Sequence, residues 1–190
     1  MPWLVCDYGD VISLPQTPEE IEAIAALSGR ELDDFLADYW AVRADYDRGD
    51  IDAWQFWSGV VAGELTPARL ELLHAADNAS WTKLNGAAMA AIEAIAARGY
   101  RLALLSNAPA DIARYLDAHP WFQRFEHRVF SCDLQLTKPD PAIFAALVSR
   151  LDCEPADAVF VDDRAVNVAA AKAFGIRAIE YRGLDDFALI

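Results

Sequence analysis

The sequence predicts an α/β protein, a Rossmann-like doubly wound parallel sheet with an α-helical segment inserted after its first strand. Two observations carry this. From about residue 85 onward, short apolar runs alternate with helical patterns, which is the signature of βα units stacked into a parallel sheet. One further apolar run stands alone near the start, separated from the rest by a long stretch with only helical periodicity.

The first run is Trp3-Leu4-Val5-Cys6. It ends at Asp7 and is followed by Gly9, so it reads as a buried strand opening into a loop. Thr17 then offers a cap, Pro18 suits a first helical position, and Glu19 and Glu20 suit the positive end of the helix dipole. Gly29 ends that helix. Leu32, Phe35, Leu36, Tyr39 and Trp40 recur at three- and four-residue spacing and mark a second amphipathic helix, closed by Gly49. A third, aromatic-rich helix covers 52–62, with Trp54, Phe56 and Trp57 expected in its packed core, and Thr66-Pro67 starts a fourth. Short connections between these helices predict a small bundle.

The second part predicts a helix over 87–98 ended by Gly99, a strand over 101–105, a helix over 109–118 and a strand over 127–131. A helix over 141–151 follows, then a strand over 158–161, a helix over 164–174 ended by Gly175, a strand over 176–180 and a short last helix. The expected division is therefore a core formed by 1–14 and 84–190, with the strand before Asp7 central, and an insert spanning 15–83.

Lys and Arg number 16 against 30 Asp and Glu, a net charge of −14, while 55% of residues are hydrophobic. So acidic a chain is a poor partner for nucleic acid or for an anionic membrane surface. No uncharged apolar run approaches the ~18 residues a membrane span needs, and the N-terminus lacks the basic region of a leader. Cys6, Cys132 and Cys153 are widely spaced, without metal-binding pattern. Reduced thiols and a cytoplasmic location are the expectation. The chain is expected to act as a monomer or homodimer.

Ligands of open parallel sheets bind beyond the carboxyl ends of the strands, so the residues there are the informative ones. They are Asp7, Ser106-Asn107, and Asp162-Asp163 with Asn167 one helical turn on. Lys138 joins them just before a helix that Asp140 can cap, with Pro141 at its first position. Taken singly, each could be a cap, a turn or a solvated side chain. Together they bring an acid, a hydroxyl, an amine and paired acids to one edge. A carboxylate can attack phosphorus and divide a hard hydrolysis into two steps. Two acids can hold Mg²⁺, and an amine and a hydroxyl can hold phosphate oxygens.

These motifs resemble those of the haloacid dehalogenase superfamily along essentially the whole chain. They are Asp7-Tyr8-Gly9-Asp10-Val11, Leu105-Ser106-Asn107, Thr137-Lys138-Pro139, and Val161-Asp162-Asp163 followed by Asn167. The helical insert is similar to a type-one cap. The resemblance implies that Asp7 is the nucleophile, that Ser106, Asn107 and Lys138 bind phosphate, and that Asp7, the Gly9 carbonyl and Asp163 hold Mg²⁺ with help from Asp162. It further implies catalysis on a small phosphorylated metabolite, in the manner of the sugar-phosphate phosphatase branch. One departure stands out. Phosphatases of this superfamily usually carry a second Asp two residues after the nucleophile, as the acid and base for leaving group and water. Here Gly9 takes that place, and it sits in a tight turn where glycine can hold a conformation that Asp tolerates poorly.

Trp40, Arg43 and Asp47 share one face of the second helix, with Tyr46 beside them. Trp40, Arg43 and Tyr46 are the expected substrate contacts, against the alternative of an ordinary packing face. Trp81 either closes the entrance or packs nearby. Two competing functions are a 2-haloacid dehalogenase, which needs no acid but also lacks the paired acids of the fourth motif, and a phosphate-binding protein that has lost turnover.

Overall fold

The computed structural model describes residues 1–190. In chain order its elements are β1 (Trp3–Cys6), α1 (Pro18–Ser28), α2 (Leu32–Arg48), α3 (Ala53–Val60), α4 (Pro67–Trp81) and α5 (Gly86–Ala97). Then follow β2 (Arg101–Ser106), α6 (Ala110–Ala118), β3 (His127–Phe130), α7 (Ser131–Leu134) and α8 (Pro141–Leu151). The chain finishes with β4 (Ala158–Asp162), α9 (Ala165–Phe174) and β5 (Arg177–Glu180). The strands form one parallel sheet in the order β3-β2-β1-β4-β5, so β1 is central.

A strand covered on both faces needs apolar residues at every position, and β1 has them. Side chains alternate across the sheet. Leu4 and Cys6 join Leu102, Leu104 and Val161 on one face, packed by α5 and α6 through Ile92, Ile95, Ile112 and Leu116. Trp3 and Val5 join Ala103, Leu105 and Phe160 on the other, packed by α8 and α9 through Ile143, Phe144, Leu147, Val168 and Ala171.

Helices α1–α4 form a bundle with its own core, built on Ile24, Phe35, Tyr39, Phe56, Trp57 and Leu73. Their starts are sealed as the sequence suggests. Thr17 with Glu20 and Asp52 with Gln55 form reciprocal caps, and Thr66 accepts from the Arg69 N–H. Trp54 departs from expectation. It is 43% exposed, because Phe56 and Trp57 already occupy the inward face of a helix only eight residues long.

The chain leaves the core and returns to it through an antiparallel bridge between Ser13 and Leu84, flanked by Leu14 N–H to Lys83 O at 2.7 Å and Asn85 N–H to Ile12 O at 2.8 Å. The far end of α2 abuts α7. There Gly49 sits at φ 79°, and any Cβ would lie 3.0 Å from the Cys132 carbonyl oxygen, so both backbone and space require glycine. The Ser131 hydroxyl donates to the Asp47 carbonyl at the same junction.

Three short elements are absent from the sequence expectation, one of them the 3₁₀ turn Pro155–Asp157. A 3₁₀ segment, Pro120–Arg124, drops Trp121 and Phe122 into the first core, and α7 is a single turn. All three are too short for periodicity to reveal. The final helix is also 3₁₀, Leu184–Leu189. No helix is long and apolar enough to cross a membrane.

Candidate active site

Asp7 follows the last residue of the central strand, and its backbone N–H still donates to Val161 O at 2.8 Å, extending the sheet by one bond. Its carboxylate is asymmetric. Oδ1 accepts from the Tyr8 N–H at 2.7 Å and from Lys138 Nζ at 2.7 Å, whereas Oδ2 accepts from no protein donor. The residue is only 7% exposed, yet it lines the cavity described below.

Lys138 is held from both ends. Asn107 brackets its backbone, with Nδ2 donating to Lys138 O at 3.0 Å and Oδ1 accepting from Lys138 N at 2.9 Å. The ammonium donates to Leu105 O at 3.0 Å and to Asp162 Oδ2 at 2.7 Å, besides Asp7, which accounts for its three protons. Asp162 is fully buried. Its Oδ1 accepts from the Arg164 N–H at 2.8 Å and from Asn167 Nδ2 at 3.0 Å. The Ser106 hydroxyl makes no protein hydrogen bond and lies on the cavity wall, available to a ligand.

Negative charge exceeds positive here. Carboxylate oxygens of Asp7, Asp162 and Asp163 lie within 4.8 Å of one another, and Lys138 is the one ammonium among them. Burial, with Asp162 adding to it and Lys138 opposing, pushes the Asp7 carboxyl up to about 8. Burial and then the charges of Asp162 and Asp10 push Asp163 up to about 6. Burial would lower the Lys138 ammonium, but Asp7 and Asp162 outweigh it and keep the group protonated. Such a set accepts a further cation well. The free donors are all oxygens: Asp7 Oδ2, the Gly9 carbonyl, Asp163, and the buried Asn167 Oδ1, which has no partner. Hard oxygen donors suit Mg²⁺.

A cavity of about 410 Å³ gathers these groups. The core contributes Asp7, Gly9, Ser106, Asn107, Lys138 and Asp163, and the insert contributes Trp40, Arg43, Asp47 and Trp81. Trp81 therefore stands at the cavity wall, and its carbonyl accepts from the Tyr8 hydroxyl at 2.8 Å.

Two expectations, on Tyr46 and on the Gly9 backbone, are corrected by this geometry. Tyr46 does not line the cavity. Its ring stacks on Phe56 at 4.5 Å and its hydroxyl donates to Asp111, because its place on α2 turns it to the bundle core and to α6. Asp162 stays beside the candidate metal donors, its carboxylate within 4.8 Å of those of Asp7 and Asp163, and both its oxygens are engaged, so it also positions Lys138. Asn107 lines the cavity as expected, while its side chain also brackets the Lys138 backbone. Gly9 does not occupy the left-handed region. An added Cβ would meet only Trp81 Cζ3 at 3.9 Å, whereas Asp10 is the residue with positive φ, at 56°.

Sequence reasoning also passed over several groups. Arg164 lines the cavity, one residue beyond the motif acid Asp163. Asp111, near the start of α6, accepts from Tyr46 at 3.2 Å and pairs with His74 at 2.5 Å, which joins insert to core beside the site. Tyr39 and Asp77 support Arg43 from behind. The four-residue ladder Tyr39-Arg43-Asp47 was the one signal that could have revealed that support.

Residues 11–175 match the family model for haloacid dehalogenase-like hydrolases. The plasmid-encoded phosphoglycolate phosphatase of Cupriavidus necator is 38% identical over 88 residues, covering 46% of this chain and 38% of that protein. The chain spans less than half the length of the curated relatives it matches. Among solved structures, a HAD family enzyme of Bacteroides thetaiotaomicron superposes with a TM-score of 0.80 at 18% identity, over 96% of this chain and 94% of that one. That enzyme has also been solved with magnesium and inorganic phosphate. A dehalogenase in an intermediate complex superposes with a TM-score of 0.71 at 19% identity, over 95% of this chain and 84% of that one. Likeness at these identities establishes the fold, which both chemistries share.

Proposed function

Because this chain belongs to the haloacid dehalogenase-like hydrolase family, we propose that it is a Mg²⁺-dependent phosphatase of a small phosphorylated metabolite, with residues 15–83 as its cap. The observation that carries the reading is the asymmetry of Asp7: one oxygen locked by Lys138 and the Tyr8 N–H, the other free in the cavity.

Asp7 Oδ2 attacks phosphorus, a P–O bond forms, and the ester P–O bond to the leaving group breaks. Lys138 holds Oδ1 so that Oδ2 faces the substrate, and it offsets the charge that gathers as phosphate and carboxylate meet. The Ser106 hydroxyl donates to a phosphate oxygen. Asp162 keeps the ammonium in place, with Asn167 and the Arg164 N–H fixing Asp162. Asp7, the Gly9 carbonyl, Asp163 and Asn167 Oδ1 are the groups that would hold Mg²⁺. When bound, the ion neutralises charge on the phosphoryl oxygens. Water then attacks phosphorus, the P–O bond to Asp7 Oδ2 breaks, the proton of the water passes to solvent because Gly9 supplies no base, and phosphate leaves with Asp7 regenerated.

The metal dependence is tested directly. Excess chelator and Asp163→Asn should each lower turnover at least about tenfold, as loss of ligands or their supports does. Mg²⁺ should raise the melting temperature of the wild type, and raise it less in Asp163→Asn. Full turnover of a 2-haloacid in chelator would instead establish the dehalogenase reading, for which the paired acids Asp162 and Asp163 give no support.

Gly9 gives a second test. General acid–base catalysis contributes about 10²–10⁴-fold, so without it the leaving group must depart unaided. Aryl and anomeric sugar phosphates should turn over well, and simple alkyl phosphates poorly. Gly9→Asp should help the alkyl substrates more, since the backbone is ordinary there and a Cβ has room. Equal rates on both kinds of substrate would mean that another group supplies the proton.

A further inference from the structure

Arg43 is the cationic residue that the insert presents to the cavity, and it would serve as an anchor for a second anionic group on the substrate. Its charge is already outnumbered. Nε donates to Asp47 Oδ1 at 2.7 Å, and Nη1 lies 3.7 Å from Asp77 Oδ2 while also donating to the Tyr39 hydroxyl. That hydroxyl in turn donates to Asp77 Oδ1 at 3.0 Å and accepts from Trp81 Nε1 at 3.1 Å. Arg43 and Asp77 are buried, so salt screens these charges little. One guanidinium thus serves two carboxylates, and this wall of the cavity carries excess negative charge.

The two acids differ in what they leave open. Asp77 has both oxygens engaged inside the bundle. Asp47 lines the cavity, and its Oδ2 accepts from no protein donor. Arg43 Nη2 likewise has no protein acceptor. A free acceptor therefore neighbours a free donor, next to the indole of Trp40, which is 54% exposed on the same face of α2. Paired hydroxyls use one donor and one acceptor in this way, and an exposed ring offers an apolar bed for the C–H face of a polyol. A carboxylate or second phosphate placed here would face Asp47 with no uncommitted cation to meet it.

We propose that Asp47 is a specificity-determining residue, which selects phosphorylated polyhydroxy compounds with an uncharged leaving group and turns away phosphorylated acids. This rests on the phosphatase reading above and narrows it.

The test is steady-state kinetics of the Mg²⁺-loaded wild type and Asp47→Asn. The substrates are hexose 6-phosphates and pentose 5-phosphates, whose alkyl leaving groups match those of the acids phosphoglycolate and 3-phosphoglycerate, with p-nitrophenyl phosphate as a reference. The wild type should prefer its best sugar phosphate over both acids by at least about tenfold in kcat/KM, the scale of one charge-assisted hydrogen bond. Asp47→Asn keeps an acceptor for Arg43 Nε but removes the charge. It should raise KM for the sugar phosphate and lower KM for the acids, narrowing the preference about tenfold, and Asp47→Glu should restore the wild-type order. A merely structural role moves both KM values in one direction, and that result would overturn the proposal. So would a wild type that prefers the acids, or one that cleaves p-nitrophenyl phosphate but no sugar phosphate, although the phosphatase reading would survive either. Release of phosphate from none of these substrates would defeat both.

Discussion

Asp7→Asn should abolish turnover, by at least about 10⁴-fold, while leaving the fold intact. The magnitude follows from removing a covalent nucleophile, after which only binding and electrostatic positioning remain. The amide keeps the shape of the carboxylate, and its Oδ1 can still accept from the Tyr8 N–H and Lys138, so the loop after β1 keeps its bonds. Lys138 also retains Asp162 and Leu105 O. Removing one of several crowded carboxylates should leave the metal-free protein as stable as the wild type, or more so. Phosphate release from p-nitrophenyl phosphate measures the first part and thermal unfolding the second. Trapping with beryllofluoride should label Asp7 in the wild type and nothing in the variant. If Asp7→Asn keeps most of the wild-type rate, covalent catalysis by this residue is wrong.

Lys138→Met should be costly in both activity and stability. The ammonium is buried and bonded to two carboxylates, so its loss leaves uncompensated buried charge. Breaking a buried pair in this way typically costs about 3–5 kcal/mol. Adding Asp162→Asn removes one stranded charge and should recover part of the stability without recovering turnover, because Asp7 would still lack its partner. Denaturant unfolding of the two variants separates the outcomes. A single variant as stable as the wild type would mean that the Asp7 carboxyl simply holds a proton in place of its ion pair. The metal-free wild type should show a related pH signature. Burial raises the Asp7 carboxyl from 3.8 to about 8, so its stabilising contribution is complete below the lower value and is lost as pH rises towards the upper one. Mg²⁺ should flatten that slope, since the ion favours the ionised carboxylates.

Local signals in the sequence determined most of the architecture. A short, fully apolar run bounded by turn residues, such as Trp3–Cys6 before Asp7 and Gly9, reads as a strand covered on both faces, and the pattern before each helix, such as Thr17-Pro18-Glu19-Glu20, is readable because capping is a local bond. The residues at the strand ends were legible for a related reason. A parallel sheet places all its strand carboxyl ends on one edge, so Asp7, Ser106 and Asp163 had to meet if the strands were right. Only the tertiary structure decided how the polar groups divide their work. Asp162 and Asp163 are adjacent in sequence, but one is sealed against Lys138 and the other opens on the cavity, because successive residues leaving β4 face different surroundings. Asn107 at a strand end gives no hint that its side chain also brackets the Lys138 backbone, and Tyr46 looks like a substrate contact until Phe56 and Asp111 are placed around it. Each of these partners lies far along the chain. Spacing can put a side chain on a helix face or at a strand end, but which neighbour takes its hydrogen bonds is settled when separate elements pack together.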